Sequence, residues 1–220
     1  NKMGNQINNN SMLFRAFKSF ARLYILRQRV PIFVLYALTN RCNLRCSYCA
    51  FPLLDRDQIP KHRVLASLSE MAENGTVRVG LFGGEPLLRK DIGEIVDHIK
   101  GKGMYCCVIT NGTLLPKKIN EIKHVDNITI SLDGRRENND KVRGKGSYDI
   151  AFNAIKLTIN EKIPLRVSAT ITKQTKNDIG YMAGLAKEYG FQLYFSILFK
   201  SLPKANDCKM TDAEIKEAVS

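Results

Sequence analysis

The stretch from Leu38 to Ala50 reads Leu-Thr-Asn-Arg-Cys-Asn-Leu-Arg-Cys-Ser-Tyr-Cys-Ala and sets Cys42, Cys46 and Cys49 in a CxxxCxxC spacing. Thiolates are soft ligands, suited to zinc or to an iron–sulfur cluster. A [4Fe-4S] cluster accepts four ligands, so three protein thiolates would leave one iron open to a substrate or cofactor. Two plainer uses compete. Zinc prefers four ligands from paired motifs, and the nearby fourth candidate is His62. The three residues could also be free structural thiols.

Further groups with chemical potential recur at intervals down the chain. In Leu81-Phe82-Gly83-Gly84-Glu85-Pro86, two glycines free the backbone to approach a ligand and the carboxylate beside them can meet an ammonium group. The same turn would also serve strand-to-helix geometry alone. Thr110-Asn111-Gly112 suits a tight turn, with a polar contact from Asn111 as its second use. In Ile130-Ser131-Leu132-Asp133-Gly134, alternation along a strand points Ser131 and Asp133 to one side. Beyond it, Arg143 is either a solvated loop cation or a planar fork that can grip a carboxylate. Arg166, Ser168 and Thr170 alternate with Val167, Ala169 and Ile171. Cys106 and Cys107 sit inside an apolar run as small hydrophobes, and His62, His98 and His124 share no spacing and read as surface residues.

These groups need a scaffold, and the hydrophobic pattern supplies one. Strands are expected at Ile32–Leu38, Val77–Phe82, Met104–Ile109, Asn127–Leu132, Leu165–Ile171 and Gln192–Leu198. Helices are expected at Lys61–Asn74, Asp91–Lys102, Pro116–Lys123, Tyr148–Glu161 and Ile179–Tyr189, with another starting near Thr211. Gly75, Gly103 and Gly190 stand where a left-handed residue closes a helix. Strands alternating with helices imply parallel pairing through right-handed crossovers, hence an α/β fold, either doubly wound or a barrel. In both cases ligands gather at the carboxyl ends of the strands. The cysteine loop, the Gly-Gly-Glu-Pro turn, Thr110-Asn111-Gly112 and the Ser131–Gly134 segment each fall at such an end.

The segment Cys42-Asn-Leu-Arg-Cys46-Ser-Tyr48-Cys49 resembles the cysteine motif of the radical SAM superfamily, and the resemblance runs from about Ile32 onward. It implies a partial (β/α)6 TIM-like barrel in which Cys42, Cys46 and Cys49 bind a [4Fe-4S] cluster chelated by S-adenosylmethionine. Tyr48 would lie by the adenine. Gly83, Gly84 and Glu85 match the family's GGE motif, which holds the amino group of the cofactor. The Ser-Leu-Asp-Gly segment resembles the peptide-modifying and sulfatase-maturating, SPASM-type branch, so Ser131 and Arg143 would address the cofactor's carboxylate. The implied activity is reductive cleavage of S-adenosylmethionine to a 5'-deoxyadenosyl radical that takes hydrogen from a substrate. A peptide or protein is the first expectation for that substrate, and a small molecule or lipid is the alternative. An external one-electron donor of flavodoxin or ferredoxin type is implied as well. Many such proteins continue into a domain with extra clusters; the chain stops at Ser220 within a helical pattern, as if cut short, and Cys208 stands where such a domain could take its first ligand.

Composition bounds what else the chain could be. Its 220 residues, 44% of them hydrophobic, suffice for one sizeable core. The net charge is +13, yet no acid precedes Asp55, so the excess is concentrated at the start. Residues 1–11 read as a loose polar tail. From Leu13 to Gln28 apolar residues recur at three and four with arginines and lysines opposite, giving a basic amphipathic helix. That helix is expected to pack across the body, with an anionic membrane or a partner as its other uses. The expected division is 1–30 for tail and helix and 31–220 for the barrel. A zinc-stabilised, nucleic-acid-binding module is the competing class, although no paired-ligand finger, helix-turn-helix or RNA-binding aromatic motif is present, so specific nucleic-acid readout is not expected. The cysteines form no disulfide framework and point to a reducing cytoplasm, with peripheral membrane contact through residues 13–28 held open.

Overall fold

A computed structural model describes residues 2–54, 58–198 and 207–219. Six strands, β1 (Phe33–Thr39), β2 (Arg78–Gly83), β3 (Tyr105–Thr110), β4 (Asn127–Ser131), β5 (Leu165–Ile171) and β6 (Gln192–Ile197), form one sheet. All neighbours are parallel and the order follows the chain, β1-β2-β3-β4-β5-β6. A doubly wound sheet would reverse its order at a switch point. This one winds in a single direction and does not close, which is the arrangement of a partial barrel. The strand bounds agree with the sequence pattern to within a residue at either end.

Helices fill the crossovers: α2 (Lys61–Glu73), α3 (Ile92–Gly101), α4 (Leu115–Ile122), α5 (Arg136–Arg143), α6 (Ser147–Asn160), α7 (Ile179–Tyr189) and α8 (Asp212–Val219), after an N-terminal α1 (Lys2–Tyr24). Strand alternation divides the core cleanly. One face of the sheet, carrying Val79, Leu81, Cys106, Val108, Ile128, Ile130, Val167 and Ala169, is buried against Val64, Leu68, Ile95, Ile99, Ile119, Ile155 and Met182 of the helices. The opposite face lines a chamber open along the unclosed side.

Three expectations change. The polar start is not a loose tail, because α1 begins at Lys2. The charged stretch after Gly134 forms α5, which the sequence pattern lacks because only Val142 in it is apolar; Asn139 and Arg143 are buried there by polar contacts instead. The amphipathic helix docks by its polar face. Arg15 donates to the carbonyls of Ala72 at 2.7 Å and Lys102 at 2.5 Å, Ser19 to Gly75 at 2.7 Å and Arg22 to Glu73 at 3.1 Å. These carbonyls sit at the carboxyl ends of α2 and α3, where unpaired oxygens and the helix dipole attract cations. Leu13, Phe14, Phe17, Phe20, Tyr24 and Ile25 are left exposed. A recess of about 540 Å³ under α1 is lined by Phe14, Arg15, Arg22 and Gly75 and lies away from the cysteines.

Candidate cluster and cofactor site

Why the chain carries two glycines after β2 becomes clear once the cysteine loop is placed. β1 ends at Thr39 and the loop holding Cys42, Cys46 and Cys49 leaves from the carboxyl end of the sheet. The loop is laced to the next strand end: Gly84 N–H donates to the Thr39 carbonyl at 2.7 Å and Glu85 N–H to the Arg41 carbonyl at 2.8 Å. A side chain at Gly83 would come within 2.4 Å of the Thr39 oxygen, and one at Gly84 within 2.2 Å of the Arg41 oxygen. Gly83 also has φ +132, a conformation that L side chains rarely adopt. The close approach these glycines permit is therefore to the cysteine loop itself.

Glu85 is buried beneath that contact and accepts three hydrogen bonds, from Leu87 N–H at 3.0 Å, Thr110 Oγ1 at 2.8 Å and Asn111 N–H at 2.8 Å. Burial nevertheless pushes its pKa up, with those three donors opposing the shift. It joins the ends of β2 and β3. Asn111 then reaches back: its side-chain amide lies 3.9 Å from Cys42 Sγ and 3.0 Å from Asn43 Oδ1. It also forms the turn expected of it, accepting from Thr113 N–H at 3.0 Å. Arg89, almost wholly buried, pairs with Asp91 through two hydrogen bonds of 2.9 and 2.7 Å and donates to the Leu38 carbonyl at 3.1 Å, bracing the base of the loop.

The far side of the loop is governed by Asp133, for which the sequence pattern supplies only a strand face shared with Ser131. Its carboxylate accepts Arg143 Nε at 2.7 Å and Nη2 at 2.9 Å, the Tyr48 hydroxyl at 2.7 Å and Thr170 N–H at 2.8 Å. The ends of β4 and β5, helix α5 and the cysteine loop thus share one buried acid. The Arg143 fork, expected to grip a cofactor carboxylate, is taken by this internal one, and its guanidinium lies 5.7 Å from the Tyr48 ring centre. Burial works against the charge on Arg143, but Asp133 outweighs it and raises the pKa well above the ordinary value. Tyr48 is raised as well, chiefly by burial. Ser131 is half-buried at the end of β4, in register with Ser168. Ser47 N–H donates to the Val142 carbonyl at 2.8 Å, and Ser47 Oγ is 3.0 Å from Cys208 Sγ, so the Cys208 thiol is buried against the cysteine loop.

The three loop thiols are half-buried and close enough to influence one another electrostatically. Burial raises the Cys42 thiol and pushes Cys46 up to about 11. A bound metal's positive charge reverses that preference. Among the described residues, no three histidine, cysteine or acidic side chains converge to hold a single metal ion. In a cubane each cysteine ligates a different iron, so its sulfurs need not meet at one point. The donor set fits such a cluster: three soft sulfurs in one loop, with Leu44 N–H at 3.4 Å and the Asn111 amide at 3.9 Å directed at Cys42 Sγ.

A parallel, unclosed half-barrel with a three-cysteine loop at the carboxyl end of its first strand defines a class of protein. Residues 36–186 match the Radical SAM superfamily model, and the chain belongs to that superfamily. It is 34% identical over 170 residues to the Fe-coproporphyrin III synthase of Methanosarcina barkeri, a match covering 74% of this chain and 42% of that protein. It is 33% identical over 158 residues to the PqqA peptide cyclase of Bradyrhizobium diazoefficiens, covering 68% of this chain and 42% of that one. The crystal structure of Streptococcus suis SuiB bound to S-adenosylmethionine superposes with a TM-score of 0.78 at 20% identity, over 94% of this chain and 50% of SuiB. The chain thus spans under half the length of these curated relatives. No helix among the described residues is long and apolar enough to cross a membrane.

Proposed function

We propose that the chain is the catalytic core of a radical SAM enzyme whose substrate is a peptide or protein. Cys42, Cys46 and Cys49 hold a [4Fe-4S] cluster, and Gly83, Gly84 and Glu85 form the wall that meets the amino group of S-adenosylmethionine. Ser131 addresses the cofactor's carboxylate with Arg143 as the neighbouring cation, and Tyr48, anchored by its hydroxyl to Asp133, lies beside the adenine. When bound, the cluster and S-adenosylmethionine supply, with an electron from an external donor of flavodoxin or ferredoxin type, a 5'-deoxyadenosyl radical that can take hydrogen from a substrate. The chain's own part is to position. Backbone lacing of the loop to Gly84 and Glu85 fixes the thiols relative to the sheet, and Asp133 fixes Tyr48 and Arg143. The apolar face behind the strands packs on the helices and holds the strand ends in place around the inner chamber.

The observation that carries this reading is the joining of cysteine loop and Gly-Gly-Glu turn into one hydrogen-bonded unit at the carboxyl end of the sheet. A peptide substrate is supported by the PqqA peptide cyclase among the relatives. A small-molecule substrate of tetrapyrrole type is the second reading, favoured by the 34% identity to the Fe-coproporphyrin III synthase.

Anaerobic reconstitution with iron and sulfide, followed by dithionite and S-adenosylmethionine, tests the activity. Slow uncoupled release of 5'-deoxyadenosine is expected, and Cys46→Ala should abolish it together with most of the bound iron. Undiminished nucleoside release from Cys46→Ala would refute the assignment.

A further inference from the structure

The inner face of the sheet encloses a chamber of about 280 Å³ to which β1 through β6 all contribute a side chain or glycine. Its polar character is one-sided. Arg78 and Arg166 line it, no aspartate or glutamate does, and among the described residues neither arginine has a carboxylate within ion-pair distance. The acid nearest in sequence to this end of β3 and β4, Asp126, is held by Lys100 at 2.6 Å.

Each arginine is held by an aromatic ring rather than by an acid. The Arg78 guanidinium lies 4.6 Å from the Tyr105 ring centre and 5.3 Å from that of Phe33; Arg166 lies 5.4 Å from that of Tyr194, with Nε donating to Gln192 at 2.9 Å. Stacking of this kind orients a guanidinium and leaves its edge available for hydrogen bonding. The edge of Arg78 is not fully used: its Nε is buried and has no hydrogen-bond partner, while a weak contact joins its side chain to the Cys107 thiol. A buried guanidinium N–H without an acceptor is costly, and an anion entering the chamber removes that cost.

We propose that this chamber receives a carboxylate arm of the substrate, held by Arg78 and Arg166 at the amino ends of β2 and β5. The volume suits an arm rather than a whole large ligand, since complete ligand sites run from about 300 to 1,000 Å³. The arm is either an acidic side chain of a peptide or a side-chain acid of a tetrapyrrole; both offer the same carboxylate to the two forks. Held there, it sets how deep the rest of the substrate lies beneath the cysteine loop at the opposite strand ends. The inference rests on the proposed enzymatic reading and names the substrate group that the barrel selects.

The test is binding by titration calorimetry to the reconstituted chain with S-adenosylmethionine, at about 0.15 M salt to screen the general positive charge. One arm compares a hexapeptide with a central glutamate against its glutamine counterpart; the other compares coproporphyrin III with its tetra-amide. In at least one arm the acid should bind roughly tenfold tighter or more than the amide. Arg78→Met and Arg166→Gln should each erode that preference, and the arm showing it identifies the source of the carboxylate. Melting temperature and S-adenosylmethionine affinity report whether each variant remains folded, and Arg166→Gln serves alone if Arg78→Met does not. Equal binding of acid and amide in both arms, or a preference untouched by a folded variant, overturns the proposal. Release of 5'-deoxyadenosine is scored separately, so loss of nucleoside with a retained acid preference would sink the enzymatic reading and not this one.

Discussion

Asp133 accepts four hydrogen bonds from three separate parts of the chain and has no exposed side-chain surface. Replacing it by asparagine leaves the Arg143 cation buried without its counter-charge. A loss of about 3–5 kcal/mol in unfolding free energy is expected, read from urea denaturation. S-adenosylmethionine affinity should fall with it, because Tyr48 loses its anchor; a variant as stable as the parent would show that the pair is dispensable. Asp140 makes a second, pH-dependent case. It accepts from Gly146 N–H, Tyr148 N–H and Ser147 Oγ at the start of α6, and although partial burial acts to raise its pKa, these bonds win and lower it. A depressed folded-state pKa means the stabilisation is present above the unfolded value near pH 4 and fades as pH falls through the folded one. Melting temperatures measured down an acid series should therefore drop less steeply in Asp140→Asn than in the parent below about pH 4. Cys42, Cys46, Cys49 and Tyr48 could be singled out from the sequence because their spacing is short and local. Asp133 could not be given its weight, since its partners lie 85 residues before it, and 10 and 37 residues after it. Arg143 shows the same limit: its proximity to the site could be anticipated, but not the carboxylate that occupies its fork.

Among the elements, the turn between β2 and α3 and the loop after β1 behave as one unit. Gly84→Ala places a methyl carbon 2.2 Å from the Arg41 oxygen, so the cysteine loop must move away from the sheet. Iron and sulfide content after reconstitution should fall several-fold while the fold survives by circular dichroism; full cluster loading would contradict the steric argument. Helix α1 makes the opposite kind of point. Its periodicity revealed an amphipathic helix, yet the pattern could not say which face docks. The carbonyl ends of α2 and α3 decide this, and they are features of tertiary structure. Arg15→Met should lower stability by about 1–3 kcal/mol through loss of charged hydrogen bonds to those carbonyls. Phe17→Ser, on the exposed face, should change it by less than about 0.5 kcal/mol. Thermal melts of the two variants side by side check the orientation. The strands were legible because their residues are largely apolar, and in β2 to β5 those runs are buried on one face, whereas α5 was hidden because polar contacts, not an apolar stripe, hold it in place.

For the molecule as a whole, sequential strand order and failure to close produce a sheet with a packed outer face and an accessible inner one. The carboxyl strand ends gather Cys42, Glu85, Asn111, Ser131 and Asp133, residues scattered over a long stretch of chain. Membership of the radical SAM superfamily and the lacing of loop to sheet meet in a single claim, that Cys42, Cys46 and Cys49 carry a cluster with one iron left for S-adenosylmethionine. Electron paramagnetic resonance of the anaerobically reconstituted, dithionite-reduced chain tests it most directly. A reduced [4Fe-4S] signal whose shape changes on addition of S-adenosylmethionine, and which is lost in Cys46→Ala, is the predicted result. Zinc in place of iron, or a cluster signal indifferent to S-adenosylmethionine, would contradict the account.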